Sequence, residues 1–352
     1  MVTAYDVIAV GSGPSGSVFA YELSKIRPDL KILLIDGQSE ERRKVCGGLL
    51  APDAQKAFAQ MDITLPKSVL ADPQIFAVDT FDLSSEKRRC YQRHYLNMDR
   101  YAFDKFLLDR VPDTVTVIKG RCTEVLAENN GYFIKVRTSD GICEYKCAFL
   151  VGADGAGSVV RRCLYGKLPY QYVSIQEWYA CDGQGMPSYS CIFDPMTSDS
   201  CSWTVRKDGH TVFGGAFKKQ GSREAFAKQK SRLEEYLGVK FGEPIRTEAC
   251  LISSPRRFSD LVCGKNGAFL VGEAAGFISS SSFEGISYAI LSGKTLAHCF
   301  EGLADERKVA KRYRARTFKM RLKLLSKMLK RRILCSPFLR GIILKTGIKS
   351  IK

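Results

Sequence analysis

The feature that most constrains this chain is a glycine-rich turn between its first strand and its first helix. Residues 5–10 are mostly apolar and predict a short buried strand, and the sequence Gly-Ser-Gly-Pro-Ser-Gly at residues 11–16 follows directly. Gly11 permits a tight turn, Gly13 lets the backbone approach a pyrophosphate, and Gly16 lets the next helix pack on the strand. Free N–H groups at such a helix start bind anions. The pattern predicts a dinucleotide-binding unit, without saying which dinucleotide.

A carboxylate stands where the second strand of that unit should end. The apolar run at residues 31–35 is followed by Asp36, twenty residues after Gly16. A carboxylate in this place holds the hydroxyl groups of an adenosine ribose. The sequence therefore predicts that Asp36 contacts the adenosine end of the cofactor.

The rest of the chain alternates between extended and helical segments. Residues 73–83 and 89–98 look extended, and residues 170–252 are mostly strands interrupted by one helix near 223–237. We therefore predict an α/β protein in which a mainly antiparallel sheet is inserted twice into a Rossmann-type nucleotide-binding domain. The predicted segments are 1–70, 97–168 and 253–304 for the nucleotide-binding domain, 71–96 and 169–252 for the substrate domain, and 305–352 for a basic helical C-terminal segment.

Two further blocks stand far from the glycine turn. Asp154-Gly155 follows a predicted strand and precedes a basic helix start, and Glu273 stands at the end of another strand, flanked by Gly272 and Gly276. Small residues at such a turn let a bulky planar ring lie against the backbone. A carboxylate there accepts hydrogen bonds from a polyol chain.

These blocks, in this order, resemble the class A flavoprotein fold shared by aromatic hydroxylases and geranylgeranyl reductases, over nearly the whole chain. The resemblance implies FAD as cofactor. It implies that the glycine turn holds the pyrophosphate, that Arg100 is the cofactor-side arginine, and that Glu273 takes the ribityl position, where the family usually has Asp. The residues it implies for FAD binding are Gly11, Gly13, Pro14, Ser15, Gly16, Asp36, Lys44, Cys46, Gly47, Gly48, Arg100, Asp154, Gly155, Gly272, Glu273, Gly276, Gly285 and Ile286.

The loop at residues 44–50 favours one branch of that class. Its Lys-Val-Cys-Gly-Gly sequence resembles the block of geranylgeranyl reductases that lies near the flavin, and its glycines let backbone lie close to a ligand. Cys46 is the candidate catalytic residue, as a proton donor, with a purely steric role left open. Residues 46–55, 74–76, 189–194 and 272–276, the last with Glu273, further resemble the bacterial colicin-M-resistance flavoproteins, a small branch of the family.

Aromatic residues of the inserted sheet are candidate substrate contacts. Residues 202–207 partly match the tunnel motif of the reductases, because Trp203 and Lys207 fit whereas Arg206 replaces the expected proline. Trp178 and Tyr189 stand on neighbouring predicted strands. We predict that Trp178, Tyr189 and Trp203 contact substrate, with ordinary sheet packing as the alternative.

These features favour an FAD-dependent oxidoreductase that reduces carbon–carbon double bonds of a prenyl-type lipid by hydride transfer from reduced flavin. One alternative is an FAD-dependent monooxygenase of an apolar or aromatic substrate, since it shares the fold and the Asp-Gly motif. A second is a flavin-binding protein without alkene chemistry, acting in envelope stress or colicin M resistance. There is no second nucleotide motif, so we expect an external reductant, with NAD(P)H as a candidate.

The formal net charge of +17 comes from the C-terminal segment. Seventeen Lys and Arg and no acid occur from residue 307 onward, whereas residues 1–306 carry equal numbers of bases and acids. Residues 306–334 have a helical pattern that ends before Ser336-Pro337. One interpretation is a helix docked on the nucleotide-binding domain with a solvated face, and the other is attraction of residues 307–352 to anionic lipid. Nucleic-acid binding is disfavoured because the remainder is neutral.

The remaining composition suggests no metal and no membrane span. Thirteen scattered cysteines without a C-x-x-C pair, and three histidines, predict buried thiols in a reducing compartment and no metal site. No apolar run approaches the ~18–20 residues that cross a bilayer, and the first strand leaves no room for a signal peptide. We therefore expect a cytoplasmic protein, attached peripherally to the inner face of the membrane if the lipid interpretation holds.

Overall fold

The computed structural model describes residues 2–37, 44–180, 186–302, 305–347 and 350–351. The predicted domain end at residue 304, and residues 348, 349 and 352 of the basic segment, lie outside the described residues. The strands are β1 (Thr3–Val10), β2 (Ile32–Asp36), β3 (Leu49–Leu50), β4 (Ile75–Asp82), β5 (Lys87–Asn97), β6 (Thr116–Lys119), β7 (Arg121–Glu128), β8 (Gly131–Thr138), β9 (Gly141–Gly152), β10 (Gln171–Tyr179), β11 (Tyr189–Phe193), β12 (Cys201–Lys207), β13 (His210–Phe217), β14 (Arg246–Ser253), β15 (Gly264–Lys265) and β16 (Ala268–Leu270). The helices are α1 (Pro14–Ile26), α2 (Pro52–Ala59), α3 (Arg100–Leu108), α4 (Val159–Tyr165), α5 (Ser222–Leu237), α6 (Ile286–Ala297), α7 (Glu306–Arg316), α8 (Phe318–Leu334) and α9 (Pro337–Thr346).

The first sheet has a parallel centre. Its strand order is β15-β16-β9-β1-β2-β6, with β7 and β8 continuing antiparallel from β9. β1 pairs in parallel with β2 and with β9, so the carboxyl ends of all three strands lie at one edge. Val7–Val10 and all of β2 are buried, as expected for parallel strands covered on both faces. α1 and α6 cross closely, because a Cβ at Gly293 would lie 2.4 Å from the carbonyl oxygen of Ser15.

The second sheet is mainly antiparallel, in the order β14-β10-β13-β12-β11-β4-β5-β3. Only the β4–β11 pairing among its assigned pairs is parallel. α5 covers one face, where Phe213 and Phe217 pack against Phe226. Side chains alternate along β12, so Ser202 donates to Gln229 of α5 at 2.5 Å whereas Trp203 lines a cavity on the other face.

The basic C-terminal helices dock on the protein itself. The Tyr313 hydroxyl donates to the Leu270 carbonyl at 3.0 Å in the first sheet. Arg340 of α9 forms a buried ion pair, 2.7 Å long, with Asp82 of β4 in the second sheet. The inner side of these helices is therefore packed on the protein, as the docked-helix interpretation expects. The helices contact both sheets, however, and not the first sheet alone.

The predicted fold class is confirmed by this architecture and by the structural neighbours described below. The short β3, at residues 49–50, joins the second sheet although it falls in a segment predicted for the nucleotide-binding domain. The domain boundaries themselves stay a prediction.

Candidate functional site

The glycine turn after β1 has a geometry that only glycine allows. The Gly11 amide donates to the Ile35 carbonyl at 2.9 Å, and φ of Gly11 is +105°. A Cβ at Gly11 would lie 2.6 Å from the Ala153 oxygen, and a Cβ at Gly16 only 1.8 Å from the Gly11 oxygen. β1, β9 and α1 are therefore in backbone contact at this point.

Two other glycines leave open space in front of the backbone. A Cβ on Gly13 or on Gly155 would meet no described atom within 4 Å, and both residues line the main cavity. Gly13 directly precedes α1, whose first residues Pro14 and Ser15 line the same cavity. A helix N-terminus beside an open backbone is suited to binding an anion.

A smaller cavity of about 320 Å³ lies at the end of β2. Gly11, Gly13 and Asp154 line it together with Gly37. Asp36 lies beside it and is buried, and its carboxylate accepts a hydrogen bond from the Ser12 hydroxyl. This cavity lies where the sequence predicts the adenosine end of the cofactor, and Asp36 stands behind its wall.

The two residues of the Asp-Gly block, Asp154 and Gly155, have different structural roles. The Asp154 carboxylate caps α4, because it accepts from the amides of Val159 at 2.7 Å and Val160 at 3.2 Å. Burial raises the pKa of Asp154, although these hydrogen bonds and one from Ser158 oppose the shift. Gly155, with φ of +69°, turns the chain so that its backbone faces the main cavity.

Glu273 forms an ion pair at the cavity wall. Its carboxylate lies 2.9 Å from the Lys44 ammonium and accepts from the Ser253 amide at 2.7 Å. Burial alone would lower the pKa of Lys44, but the charge and hydrogen bond of Glu273, together with Cys250, outweigh it and the pKa lies above its usual value. The pair joins the loop before β3 to the turn after β16.

The turn at residues 272–276 is packed closely against neighbouring residues that fix its position. Cβ atoms would lie 2.8 Å from Ser15 Oγ at Gly272 and 2.5 Å from the Asp260 oxygen at Gly276, so neither position tolerates a side chain without a shift. The buried Arg161 donates to the carbonyl oxygens of Ala274 and Asp260, each at 2.9 Å. Arg161 was not singled out from the sequence, where it is one of two adjacent arginines and nothing marks it as buried.

Lys207 anchors the Cys-Gly-Gly loop. Its buried ammonium donates to the carbonyl oxygens of Met98 at 2.7 Å and Gly48 at 3.3 Å, and to Oδ1 of Asn97. The Gly48 amide in turn donates to Cys46 Sγ at 3.3 Å, and φ of Gly48 is +63°. The thiol is therefore presented at the cavity by a loop that is fixed from the opposite side.

Arg100 lines the cavity next to this loop. Its Nε lies 2.8 Å from Asp104 one helical turn later, and both side chains are largely buried. Burial would lower the pKa of Arg100, but the interactions with Asp104 and Cys46 together outweigh burial and raise it. The predicted cofactor-side arginine thus remains a fixed cation.

Trp203 is the centre of an aromatic wall facing the loop. A Cβ at Gly214 would lie 2.8 Å from its ring and one at Gly47 3.6 Å from it, so the indole lies between two glycines. Its Nε1 is buried and has no hydrogen-bond partner among the described residues. Sequence reasoning missed Gly214, because strand register alone places it opposite Trp203.

The other two predicted substrate residues line the same cavity. Trp178 Nε1 donates to Glu248 at 3.1 Å, with the Arg246 guanidinium 4.1 Å from the ring centre. Tyr189 packs edge-on against Tyr95, with ring centres 5.9 Å apart. Glu248 was not predicted, since acids on strands give no local signal.

The main cavity has a volume of about 950 Å³. Its lining includes most of the predicted site residues, namely Gly13, Pro14, Ser15, Lys44, Cys46, Gly47, Gly48, Arg100, Gly155, Glu273, Gly285, Ile286, Trp178, Tyr189 and Trp203. Gly11 and Asp154 line the smaller cavity, while Gly16, Asp36, Gly272 and Gly276 support the walls from behind. The C-terminal helices close one side with Lys327, Lys330, Leu334, Ile343 and Leu344.

Close relatives of the chain share a name and full-length similarity. The chain is 40% identical to Protein CbrA of Escherichia coli O6:H1 over 353 aligned positions, covering 99% of this chain and 94% of that protein. It is also 40% identical to Protein CbrA of Shigella dysenteriae serotype 1, covering 99% of this chain and 98% of that protein. No family model matches the chain.

Solved structures with the same fold include flavoproteins. A geranylgeranyl bacteriochlorophyll reductase-like protein from Thermoplasma acidophilum superposes with a TM-score of 0.81 at 20% identity, over 95% of this chain and 88% of that one. HpxO of Klebsiella pneumoniae, complexed with FAD and uric acid, gives 0.70 at 15% identity over 98% and 92%. The p-nitrophenol 4-monooxygenase PnpA of Pseudomonas putida gives 0.72 at 14% over 99% and 94%. At these identities the likeness shows the fold.

Two kinds of feature are absent from the described residues. No group of three or more His, Cys, Asp or Glu side chains is arranged to hold a metal ion. None of the helices in those ranges combines the length and apolarity needed to cross a bilayer.

Proposed function

This chain belongs to the CbrA family of proteins, and from that premise we propose that it binds FAD and acts as an FAD-dependent oxidoreductase. The finer proposal is that it reduces carbon–carbon double bonds of a prenyl-type lipid. The observation that carries it is the main cavity, which is lined by the glycine turn, the Cys-Gly-Gly loop and the aromatic wall.

The described residues fit FAD. The open backbone at Gly13 and Gly155 and the start of α1 would hold the pyrophosphate, and the smaller cavity would take the adenosine. Lys44 and Glu273 would hold the ribityl chain. A cavity of about 950 Å³ is at the upper end of the range for ligand sites, which leaves room for a substrate beside a flavin.

The far side of the cavity suits an apolar substrate with an anionic end. Val78, Phe193, Leu334 and Leu344 contribute apolar surface. The cations that line the same cavity include Arg93, Lys327 and Lys330. An isoprenoid chain ending in a phosphate matches both features, since Lys and Arg bind phosphate through charge-assisted hydrogen bonds.

When bound, reduced FAD supplies a hydride. Saturating a carbon–carbon double bond needs one hydride and one proton. An isolated alkene has no carbonyl group to hold the added electron pair, so the proton must arrive with the hydride or ahead of it. The Cys46 thiol is presented to the cavity by the loop that Lys207 anchors, and it is our candidate proton donor. The half-buried indole of Trp203 lies beside Gly47 of this loop, where it would limit the access of water.

The test is anaerobic turnover of the purified protein. We expect a yellow protein whose flavin, once reduced chemically, is reoxidised by prenyl phosphates faster than by prenyl alcohols. Mass spectrometry should find each product heavier by two hydrogen atoms per reduced double bond. Reoxidation only after oxygen is admitted, with oxygen in the product, would instead identify a monooxygenase. A protein that cannot be reconstituted with FAD would overturn the whole proposal.

The role of Cys46 has its own control. We expect Cys46→Ala to retain FAD and to slow alkene-dependent reoxidation about 100-fold, the usual scale for losing a proton donor. Cys163→Ala, which changes an exposed thiol outside both cavities, should leave the rate unchanged. Full activity in Cys46→Ala would assign the proton to another source while leaving FAD binding intact. External reduction by NAD(P)H, which we also propose, is tested by following its oxidation with the same variants.

A further inference from the structure

α8 has two apolar faces, and only one of them is buried in the protein. Leu324 and Met328 are buried in the core of the first sheet. Phe318, Leu322, Leu329 and Ile333 are between 43% and 54% exposed. Their spacing of four, seven and four residues places all four on one stripe of the helix. This stripe points away from the buried face.

α9 repeats the arrangement. Phe338 is 76% exposed, and Leu339 and Ile342 are 40% and 46% exposed. On the opposite side of the helix, Arg340 and Leu344 are buried and line the main cavity. Each helix therefore turns one side to the cavity and an apolar stripe outward. We define the outer face as Phe318, Leu322, Leu329, Ile333, Phe338, Leu339 and Ile342.

The surroundings of the outer face are basic. From Arg307 to the last residue the sequence contains seventeen Lys and Arg and no acid. Lys319 follows Phe318 in the sequence, Arg332 precedes Ile333, and Lys345 lies one turn after Ile342, all on exposed sides of their helices. An exposed apolar stripe with basic flanks is the pattern of a helix that lies in the interface of a membrane.

We propose that the outer face of α8 and α9 docks on an anionic lipid bilayer. The apolar stripe would enter the boundary between headgroups and acyl chains, and the cations would contact anionic headgroups. A second copy of the chain fits this face poorly, because two copies would bring two sets of seventeen cations together. Docking would place the helices that close the main cavity at the membrane, where an apolar substrate is dissolved.

Vesicle flotation with the full chain tests the proposal without any assay of turnover. We expect the protein to float with vesicles of phosphatidylcholine and phosphatidylglycerol and to stay behind with phosphatidylcholine alone. Added salt should release it, because exposed charges are screened. The readout depends on neither flavin nor substrate, so its failure and a failure of the proposed oxidoreductase activity are distinguishable.

A matched pair of variants isolates the outer face. Leu329→Glu with Phe338→Glu should lower the partition coefficient more than about tenfold, because two apolar anchors become anions. Phe76→Glu with Ile245→Glu changes two residues that are 72% and 57% exposed outside these helices, and should float like the wild type. Lys319→Glu should cost roughly fivefold or more. Circular dichroism and thermal unfolding confirm that each variant is folded.

Three results would overturn the proposal. The wild type fails to float with anionic vesicles, or the double variant on the outer face floats as well as the wild type. The third is self-association in light scattering that the same double variant abolishes without any vesicle binding, which would identify a second copy as the occupant.

Discussion

The two sides of the main cavity are built in different ways. The side formed by the first sheet rests on backbone contacts, as where Gly16 leaves no room for a Cβ beside the Gly11 oxygen. The side formed by the second sheet and the C-terminal helices rests on side chains, such as the buried pair of Arg340 and Asp82. A backbone cradle tolerates almost no substitution, whereas a side-chain wall can be changed to suit another ligand. On the proposed function, we therefore expect the first side to set the chemistry and the opposite side to set the substrate.

The largest effect should come from filling the backbone contact. Gly16→Ala places a Cβ where the Gly11 carbonyl stands, 1.8 Å away, and no flexible side chain is there to move. We expect a loss of about 3 kcal/mol or more in the free energy of unfolding, together with loss of FAD. Urea denaturation and the flavin absorbance of the purified protein measure the two effects.

Gly13→Ala is the control that separates folding from binding. Its φ is −62°, and its Cβ would meet no described atom within 4 Å, so we expect a stability change below about 0.5 kcal/mol. The new methyl group occupies the cavity, so FAD affinity should still fall. If Gly13→Ala and Gly16→Ala lowered the free energy of unfolding equally, the close backbone contact at Gly16 would not be what distinguishes the two positions.

The second-largest loss of stability should come from the side of the cavity formed by the second sheet and the C-terminal helices. Arg340→Ala leaves the Asp82 carboxylate buried without its guanidinium, at a cost of about 3 kcal/mol. Lys135→Ala removes a partner of the exposed Lys135–Glu124 pair and should cost less than about 1 kcal/mol. Thermal and urea unfolding of both variants give the comparison. A similar small loss in both would show that α9 is held by its apolar contacts alone.

The loss in Arg340→Ala should depend on pH. Burial would raise the pKa of Asp82, but hydrogen bonds from Arg340 and Ser84 outweigh it and lower the pKa. A lowered pKa stabilises the fold above the unfolded value of about 4, and this contribution disappears as the pH falls through the folded value. The difference between wild type and variant should therefore be largest near neutral pH and shrink in acid. A difference that stays constant in acid would contradict the role of the charge.

The contrast also explains how much the sequence could predict. The glycine turn and Asp154-Gly155 were recognisable because backbone geometry imposes glycine at fixed offsets along one short segment. Glu273 was found at the end of its strand, but its pairing with Lys44 was not, since the two residues are 229 positions apart. Gly214, Glu248 and Arg161 matter through contacts that strand register and tertiary packing create. Composition located the basic segment, while its docking depends on single pairs such as Arg340 with Asp82.

The third effect lies where the two sides meet, at Lys207. Burial lowers the pKa of this ammonium to about 8 from 10.5. The unfolded chain then binds more protons between these values, so the contribution of Lys207 to stability rises with pH across that window. Lys207→Met should cost roughly 1–2 kcal/mol at neutral pH, because the Met98 and Gly48 carbonyl oxygens lose their donor. Urea unfolding at several pH values should show the gap to wild type widening above about 8. A difference in the free energy of unfolding that narrows above this pH would contradict the lowered pKa of Lys207.

Apart from the two control variants, the smallest effect on stability should come from Gly214→Ala, which changes the aromatic wall without changing the glycine turn. The new Cβ would lie 2.8 Å from the Trp203 ring, and the ring can move toward the cavity, so we expect a loss of only about 1 kcal/mol. The chain has two tryptophans, so a Trp178→Phe background makes fluorescence a reporter of Trp203 alone. In that background the emission should shift and the substrate should bind more weakly, while FAD content stays unchanged. Loss of FAD together with the shift would mean that the substrate wall and the cofactor cradle are not separable, because a movement of Trp203 would then be transmitted through Gly47 to the cofactor side.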